Sequence, residues 1–459
     1  MSTPLLDSVK ATSAIAAAAA ERPEDFKAFH GELNQRLRDE VDEEFYGHWD
    51  VTPSPFVLDE AAFQQVRGAC RQIFTVVEKI IHLYLEGQDE LGELFARYEL
   101  FRPYMTKRNL SWQEYGRYDF LVTPEGQPVL CELNTAMASG YLPMFHVNQL
   151  FHESAPDFLR PNAERALLPY DHESALGEQY CRMEALSNSG YGAVAILVDE
   201  NAKYHESQMI KQSLEDLGRE VVIGNVKDTH SVGHNLFLGD VRISSTYNKF
   251  RLFGLQHHWS EQAYLDNRRF LEAIRRNDIL AVNNFAAMTI SEDKSIFAAM
   301  RLPSVQAALD PDEKVAVDMH TPATYVLKPG LVDVNGESID LISWVKADKD
   351  EFILKPRSDY RGNGVMSGRE HEPAEFAALV DQLADEGLYL AQRRIDSAMY
   401  DVTHVTEEGD VATLPMRMAG GLYFAEMDFH GIVARLAPWE IVNAIKHAYV
   451  LPVSCTASA

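Results

Sequence analysis

Two short stretches joined by one tight turn constrain this chain more than any other feature. They are Arg117-Tyr118-Asp119-Phe120 and, beyond Pro124-Glu125-Gly126-Gln127, Leu130-Cys131-Glu132-Leu133-Asn134. Both read as strands, over about 118–123 and 128–133, so the segment predicts a hairpin. Side chains alternate faces along a strand, which places Arg117 with Asp119 and Glu132 with Asn134. Pairing through the turn lets all four converge on one face. Asp119, Glu132 and Asn134 are then oxygen ligands suited to Mg²⁺, and the Arg117 guanidinium suits a phosphate or carboxylate. A solvated surface hairpin would use the same residue types, so the motif draws its meaning from the rest of the chain.

At 459 residues and 46% hydrophobic composition, the chain can form two or three domains around a substantial core. A net charge of -27, with no long Lys/Arg block, excludes general nucleic-acid binding. The four cysteines (Cys70, Cys131, Cys181, Cys455) lie far apart without CxxC spacing, as expected of reduced thiols in a cytoplasmic protein. The alanine-rich run 11–20 could pass for a signal-peptide core, but Asp7 precedes it and Glu21-Arg22-Pro23-Glu24-Asp25 follows, so a helix is expected. No apolar run approaches the roughly 20 residues of a membrane span, and no membrane association is expected. The histidines, His146, His152, His257, His258 and His430 among them, show no metal-ligand spacing.

The pattern changes along the chain in five steps. Residues 1–100 read as helical, with charges at helical spacing over 26–45. A long amphipathic stretch covers 60–95, where Val66, Cys70, Ile73, Val77, Ile80 and Ile81 form a buried stripe. Residues 101–190 hold the hairpin and a helical connector over 173–187. Residues 191–280 predict a β-α-β unit with a small parallel sheet: strand 194–198, helix 207–217 closed by Gly218, and strand 220–223. No GxGxxG follows its first strand, which removes a dinucleotide reading. A further strand, 241–248, delivers Lys249 and Arg251 at its end, where parallel sheets bind ligands.

Residues 281–440 predict a helix over 295–300 introduced by Ser291-Glu292-Asp293-Lys294. They also predict a strand ending in Lys355-Pro356, a polar loop containing Gly362 and Gly364, a helix over 373–386, and a strand 389–392. Two strands are expected to flank a turn at Gly420-Gly421, with Arg417 leading into it as a candidate for a carboxylate or a salt bridge. Residues 441–459 are a tail. The fold class expected is α+β with an α/β unit.

A strand-end lysine followed by a glycine-containing loop can hold nucleotide phosphates. The glycines admit backbone N–H groups to the oxygens, and the ammonium neutralises charge. The loop is not a Walker A sequence.

Taken together, these residues resemble the ATP-grasp superfamily. Because Glu132-Leu133-Asn134 precedes Lys355, the order resembles the circularly permuted branch typified by glutathionylspermidine synthase. The motifs matched are the Arg117/Asp119 and Glu132/Asn134 strands, Lys249-Phe250-Arg251, Asp293-Lys294, Lys355-Pro356 and Gln392, over about 100–435. The resemblance implies a permuted ATP-grasp fold with a small pre-ATP-grasp-like domain at 191–280. It assigns Asp119, Glu132 and Asn134 to two Mg²⁺ ions, and Arg117 to the γ-phosphate and the acyl-phosphate stage. Lys294 and Lys355 go to the ATP phosphates, Gly362 and Gly364 to a lid, and the backbone near Gln392 to adenine. Lys249, Arg251 and Arg417 remain for the substrates.

The implied activity is an ATP-dependent carboxylate–amine ligase acting on a small-molecule or peptide carboxylate and an amine, as a homodimer by default. Alternatives from other classes are an ATP-grasp kinase and a non-catalytic nucleotide-binding protein. Some features depart from the polyamine ligases. The Lys294–Lys355 separation is long, 329–344 resembles an insertion, and Lys328-Pro329 rivals either lysine. No N-terminal cysteine amidase domain is evident, and Thr135 to Tyr141 differ from the family pattern.

Overall fold

The computed structural model describes residues 3–456, apart from 47–49, 137, 161–165, 168–173, 188–189, 200–204, 251, 253–260, 335, 360–361, 386 and 443–447. Three sheets carry the architecture. The central one is antiparallel, ordered Tyr449–Leu451, Asp428–Ala437, Val411–Ala425, Tyr115–Val122 and Pro128–Asn134, with Met399–Val405 paired to the first half of the long third strand. The expected hairpin is therefore the edge of a larger sheet. Its turn is closed by Gly126 at φ +79°, a conformation that suits glycine.

The helix Glu60–Leu85 packs on this sheet, capped by Asp59, whose carboxylate accepts from the Ala62 N–H at 2.6 Å. All six residues of the anticipated stripe are fully buried. Phe74 meets Phe424 edge-on at 5.4 Å, locking helix to sheet. The long stretch does not run unbroken to Phe95: Gly87 turns at φ +89° and a new helix, Asp89–Leu94, begins. The alanine-rich segment is the helix Pro4–Ala20, and it lies along Met399–Val405.

The second sheet is the β-α-β unit. Ala193–Val198 pairs in parallel with Val221–Asn225 and with Val241–Lys249, and Leu280–Val282 adds a further parallel strand. Helix His205–Asp216 makes the crossover, and Gly218 (φ +80°) ends it. A hairpin, Thr229–Val232 with Asn235–Leu238, extends the sheet antiparallel to Val241–Lys249.

The third sheet, Thr324–Val326, Tyr389–Arg393, Phe352–Pro356 and Met366–Ser367, is antiparallel and has its own core. Helices Leu341–Ala347 and Pro373–Ala384 bury Leu341, Val345, Phe376 and Val380 against Phe352 and Leu354. The 329–344 segment is thus built into this lobe, supplying a short hairpin and part of its cover. Chain entry and exit are side by side, because Thr324 pairs with Gln392 and the Arg393 N–H donates to the Ala323 carbonyl at 2.8 Å. Beyond Arg394 the chain joins the central sheet, where the Ala398 N–H donates to the Val122 carbonyl.

Other local expectations are overturned: the tail supplies Tyr449–Leu451 to the central sheet, and Val453–Thr456 pairs with a strand, Phe56–Asp59, inside the stretch read as helical. Gly420 and Gly421 form no turn; they lie inside the continuous strand Val411–Ala425. A Cβ on Gly420 would fall 2.4 Å from the Phe120 ring, and one on Gly421 2.7 Å from both Arg117 Cδ and Asp119 Oδ1. These glycines make room for cross-strand neighbours rather than bending the chain. Among the described residues no helix is long and apolar enough to cross a membrane.

Candidate functional site

Hairpin register sets the site. Arg117 stands opposite Asn134 and Asp119 opposite Glu132, with a bulge just beyond Asp119, so the four side chains share one face. Asp119 is almost fully buried and both its oxygens are taken. Arg117 donates through Nε to Oδ1 at 2.6 Å and through Nη2 to Oδ2 at 3.0 Å, and Arg435 Nη2 donates to Oδ2 at 2.7 Å. Burial alone would raise its pKa, but the two guanidinium groups outweigh that and hold it below the usual carboxylate range. The remaining Arg117 amino group donates to the Ser139 carbonyl at 2.7 Å, which also accepts from the Tyr423 hydroxyl.

Arg435 was not anticipated from the sequence. It lies on Asp428–Ala437 opposite Ala419, two positions from Gly421, which itself faces Asp119. Arg417 is on the same strand as Gly421, four residues away, and by alternation on the same face. At about 3.3 Å per residue it sits roughly 13 Å along the strand from the Asp119 position. Arg117, Arg435 and Arg417 thus lie on one face of the central sheet.

The lysine lobe meets this face. Lys294 Nζ lies 3.0 Å from Glu132 Oε1 and donates to the Asp359 carbonyl at 2.8 Å. Burial works to lower the Lys294 pKa, but Glu132 more than compensates and raises it. Lys355 Nζ donates to the Cys131 carbonyl at 3.4 Å; burial lowers its pKa, and Lys294 pushes the same way. Two cations, Lys355 from the lobe and Lys294 from the segment ahead of it, therefore meet the strand that carries Glu132 and Asn134. Lys328, the rival for either role, is exposed beyond Thr324–Val326 and makes none of these contacts. Gly362 (φ +67°) and Gly364 (φ +69°) turn the loop that leaves Lys355. Gln392 is buried on the strand leading out of the lobe and donates to Thr324 Oγ1 at 3.1 Å.

The donor set tests the expected metal. Among the described residues, no three His, Cys, Asp or Glu side chains gather to hold an ion. Glu132 and Asn134 nevertheless supply oxygens of the type a hard cation takes, and the Asn134 Nδ2 is buried without a hydrogen-bond partner. No protein acceptor holds that amide in place, so the Asn134 carboxamide can turn to present its oxygen to a cation. Asp119 differs, because both its oxygens are already committed to arginines.

Lys249 closes the Val241–Lys249 strand where it was expected. Its Nζ lies 2.6 Å from Glu206 Oε2 and 3.2 Å from Ser139 Oγ. Glu206, in the first turn of His205–Asp216, also accepts from the Gly140 N–H at 2.5 Å. Tyr115, Ala136, Ala138, Tyr247, Asn248 and Asn283 close around Lys249 so tightly that no water-sized space remains among them. Arg251 lies outside the described residues, as do Tyr360 and Arg361 of the glycine loop. Neither Glu206 nor Glu292 was singled out from the sequence. Glu292 is a buried carboxylate accepting from the N–H groups of Thr135 (2.5 Å) and Ala136 (2.7 Å), and burial pushes its pKa up to about 7.

No protein-family model matches the chain, and no curated protein matches it. Among solved structures it is similar to a glutathione synthetase-like effector from Globodera pallida, determined in the apo form. The identity is 10%, the match covers 93% of this chain and 96% of that one, and the TM-score is 0.55. The chain thus has a mixed α+β fold similar to that of a glutathione synthetase-like protein.

Proposed function

We propose that the protein is an ATP- and Mg²⁺-dependent carboxylate–amine ligase with a permuted ATP-grasp arrangement, acting in the cytoplasm on a small-molecule or peptide acid. The observation that carries this reading is the meeting of Lys294 with Glu132. It sets a phosphate-type cation against the oxygen-donor strand, beside the Cys131 carbonyl that Lys355 of the 323–393 lobe reaches. The order of the chain, with the hairpin ahead of the lysines, supports the permuted form.

In this reading the nucleotide lies between the lysine lobe and the central sheet. Lys294 and Lys355 neutralise phosphate charge, the Gly362–Gly364 turn offers backbone N–H groups to the oxygens, and the strand at Gln392 offers its main chain to adenine. Glu132 and Asn134 would hold Mg²⁺, which when bound neutralises phosphate oxygens and orients them. Asp119 fixes Arg117 and Arg435 as a rigid pair of guanidiniums on the sheet, a positive field for the transferring phosphoryl group.

The donor carboxylate takes the γ-phosphoryl group to give an acyl phosphate and ADP. The amine then attacks the carbonyl carbon, the C–N bond forms, and phosphate leaves. Arg417, on the face of the central sheet that carries Arg117, and Lys249, at the end of its parallel strand, are the candidates for the two substrates. Arg251 joins them by sequence.

Hydroxylamine trapping tests the reaction class. With a mixture of small acids, ATP and Mg²⁺, a ligase yields a hydroxamate and ADP. ADP release without hydroxamate indicates a hydroxyl kinase, and binding without turnover a nucleotide-binding protein.

A further inference from the structure

Glu292, Asp293 and Lys294 are three consecutive charged residues that reach three different parts of the molecule. Glu292 holds the chain just beyond Asn134, and Lys294 pairs with Glu132. Asp293 reaches elsewhere. Its Oδ2 accepts from the Tyr98 hydroxyl at 2.7 Å and from Arg357 Nη2 at 3.0 Å, and its Oδ1 accepts from the Ser295 N–H at 2.8 Å. The side chain is fully buried.

Arg357 is two residues beyond Lys355. It also donates to the Leu94 carbonyl at 2.8 Å, and its own carbonyl accepts from the Lys294 N–H at 2.9 Å. Ser358 Oγ lies 3.1 Å from the Tyr98 hydroxyl. The backbone at Lys294 and the loop leaving Lys355 are therefore tied together at one buried carboxylate that hydrogen-bonds to neither ammonium.

We propose that Asp293 is a positioning residue that fixes the spacing of the Lys294 and Lys355 ammonium groups, a role that rests on the nucleotide site inferred above. Two like charges buried near each other repel, so their separation has to be imposed through the backbones that carry them. A charge-assisted contact to Arg357 is shorter and more directional than a neutral one, which suits that task. An asparagine would keep one acceptor oxygen but lose the charge, and with it the stronger hold on the guanidinium. Tyr98 supplies the third corner, connecting the tie to the N-terminal helical region.

The test uses the full chain and isothermal titration with Mg²⁺ plus a non-hydrolysable ATP analogue, with adenosine titrated separately. Asp293→Asn is expected to weaken the analogue about tenfold while adenosine affinity stays within about twofold. In a Lys294→Ala background the same change should add no more than about threefold, since the lysine it positions is gone. Tyr98→Phe, a milder variant, decides the matter if Asp293→Asn does not fold, with an expected loss of about threefold. Unchanged analogue affinity, an equal loss for adenosine, or a full additive loss in the Lys294→Ala background overturns the positioning role. If wild-type protein binds no analogue at all, the nucleotide reading falls and this one with it. Normal wild-type binding with indifferent variants overturns this one alone.

Discussion

Gly421 stands directly opposite Asp119 in the central sheet, and the absence of its side chain is what lets the Arg117–Asp119 pair lie flat across the strand. An added Cβ would meet Asp119 Oδ1 and Arg117 Cδ at 2.7 Å. Gly421→Ala is therefore expected to displace the pair and destabilise the fold by about 1–3 kcal/mol, with activity falling further than stability accounts for. Urea denaturation alongside a turnover assay checks this. A variant as stable and active as wild type would show that the strands separate freely.

Asp119→Asn leaves two partly buried guanidinium groups facing a neutral partner. A loss of about 3–5 kcal/mol is expected at pH 7, the usual size for breaking a buried pair by removing one member. The folded-state pKa of Asp119 is depressed, so its contribution is complete above the unfolded value near about 3.9 and disappears as pH falls through the folded value. The stability gap between wild type and variant should stay constant from pH 8 to about pH 5 and narrow only in acid. A gap that changed between pH 6 and 8 would point to another group.

Glu292 has the opposite sign. Its pKa is raised to about 7 by burial, so ionisation disfavours the folded state. Below about pH 4.5 this carries no penalty. Between there and about pH 7 stability falls, by up to about 3 kcal/mol from this group, and above that the penalty is constant. Glu292→Gln keeps an acceptor for the Thr135 and Ala136 N–H groups while removing the ionisation. Its stability relative to wild type should rise between pH 5 and pH 8, measured by denaturant midpoints in the two buffers. A parallel pH dependence in both proteins would dismiss Glu292 as the titrating group.

The two lysines at the hairpin should be separable from the one that is exposed. Lys355→Ala is expected to weaken ATP binding by at least about tenfold, whereas Lys328→Ala leaves it unaltered. Glu132→Gln and Asn134→Ala should reduce Mg²⁺-dependent turnover by about a hundredfold or more without shifting the thermal midpoint by more than a few degrees. Equal ATP affinities for the two lysine variants would reassign the phosphate site.

Much of the local structure was legible in the sequence. Strand alternation and the Gly126 turn gave the hairpin its faces, and the period of Val66 to Ile81 gave the long helix its buried side. The apolar run 194–198 with Gly218 marked the β-α-β unit. Features set by long-range pairing were hidden. Gly420-Gly421 reads locally as a turn because the requirement for glycine comes from Phe120, Arg117 and Asp119 on another strand. Arg435 gives no sign of its partner, since the strand order that brings it to Asp119 is a tertiary property. Glu206 and Glu292 look like ordinary charges at helix boundaries until the loop after Asn134 closes on them. The parallel pairing of Phe56–Asp59 with Val453–Thr456 joins the two ends of the chain, and no local pattern announces it.

The lysine lobe leaves and rejoins the rest of the molecule through two adjacent strand ends, at Ala323 and Arg393, and encloses a core of its own. A segment attached in this way behaves as a cassette. Cutting it out and bridging the gap with a few residues would leave neither terminus far from its neighbour, and the excised 323–393 piece would carry its own buried cluster away with it. Evolution and the protein engineer therefore have the same handle: the 323–393 segment, with Lys355 aboard, can be exchanged as a unit while Lys294 and the sheet holding Asp119 stay where they are.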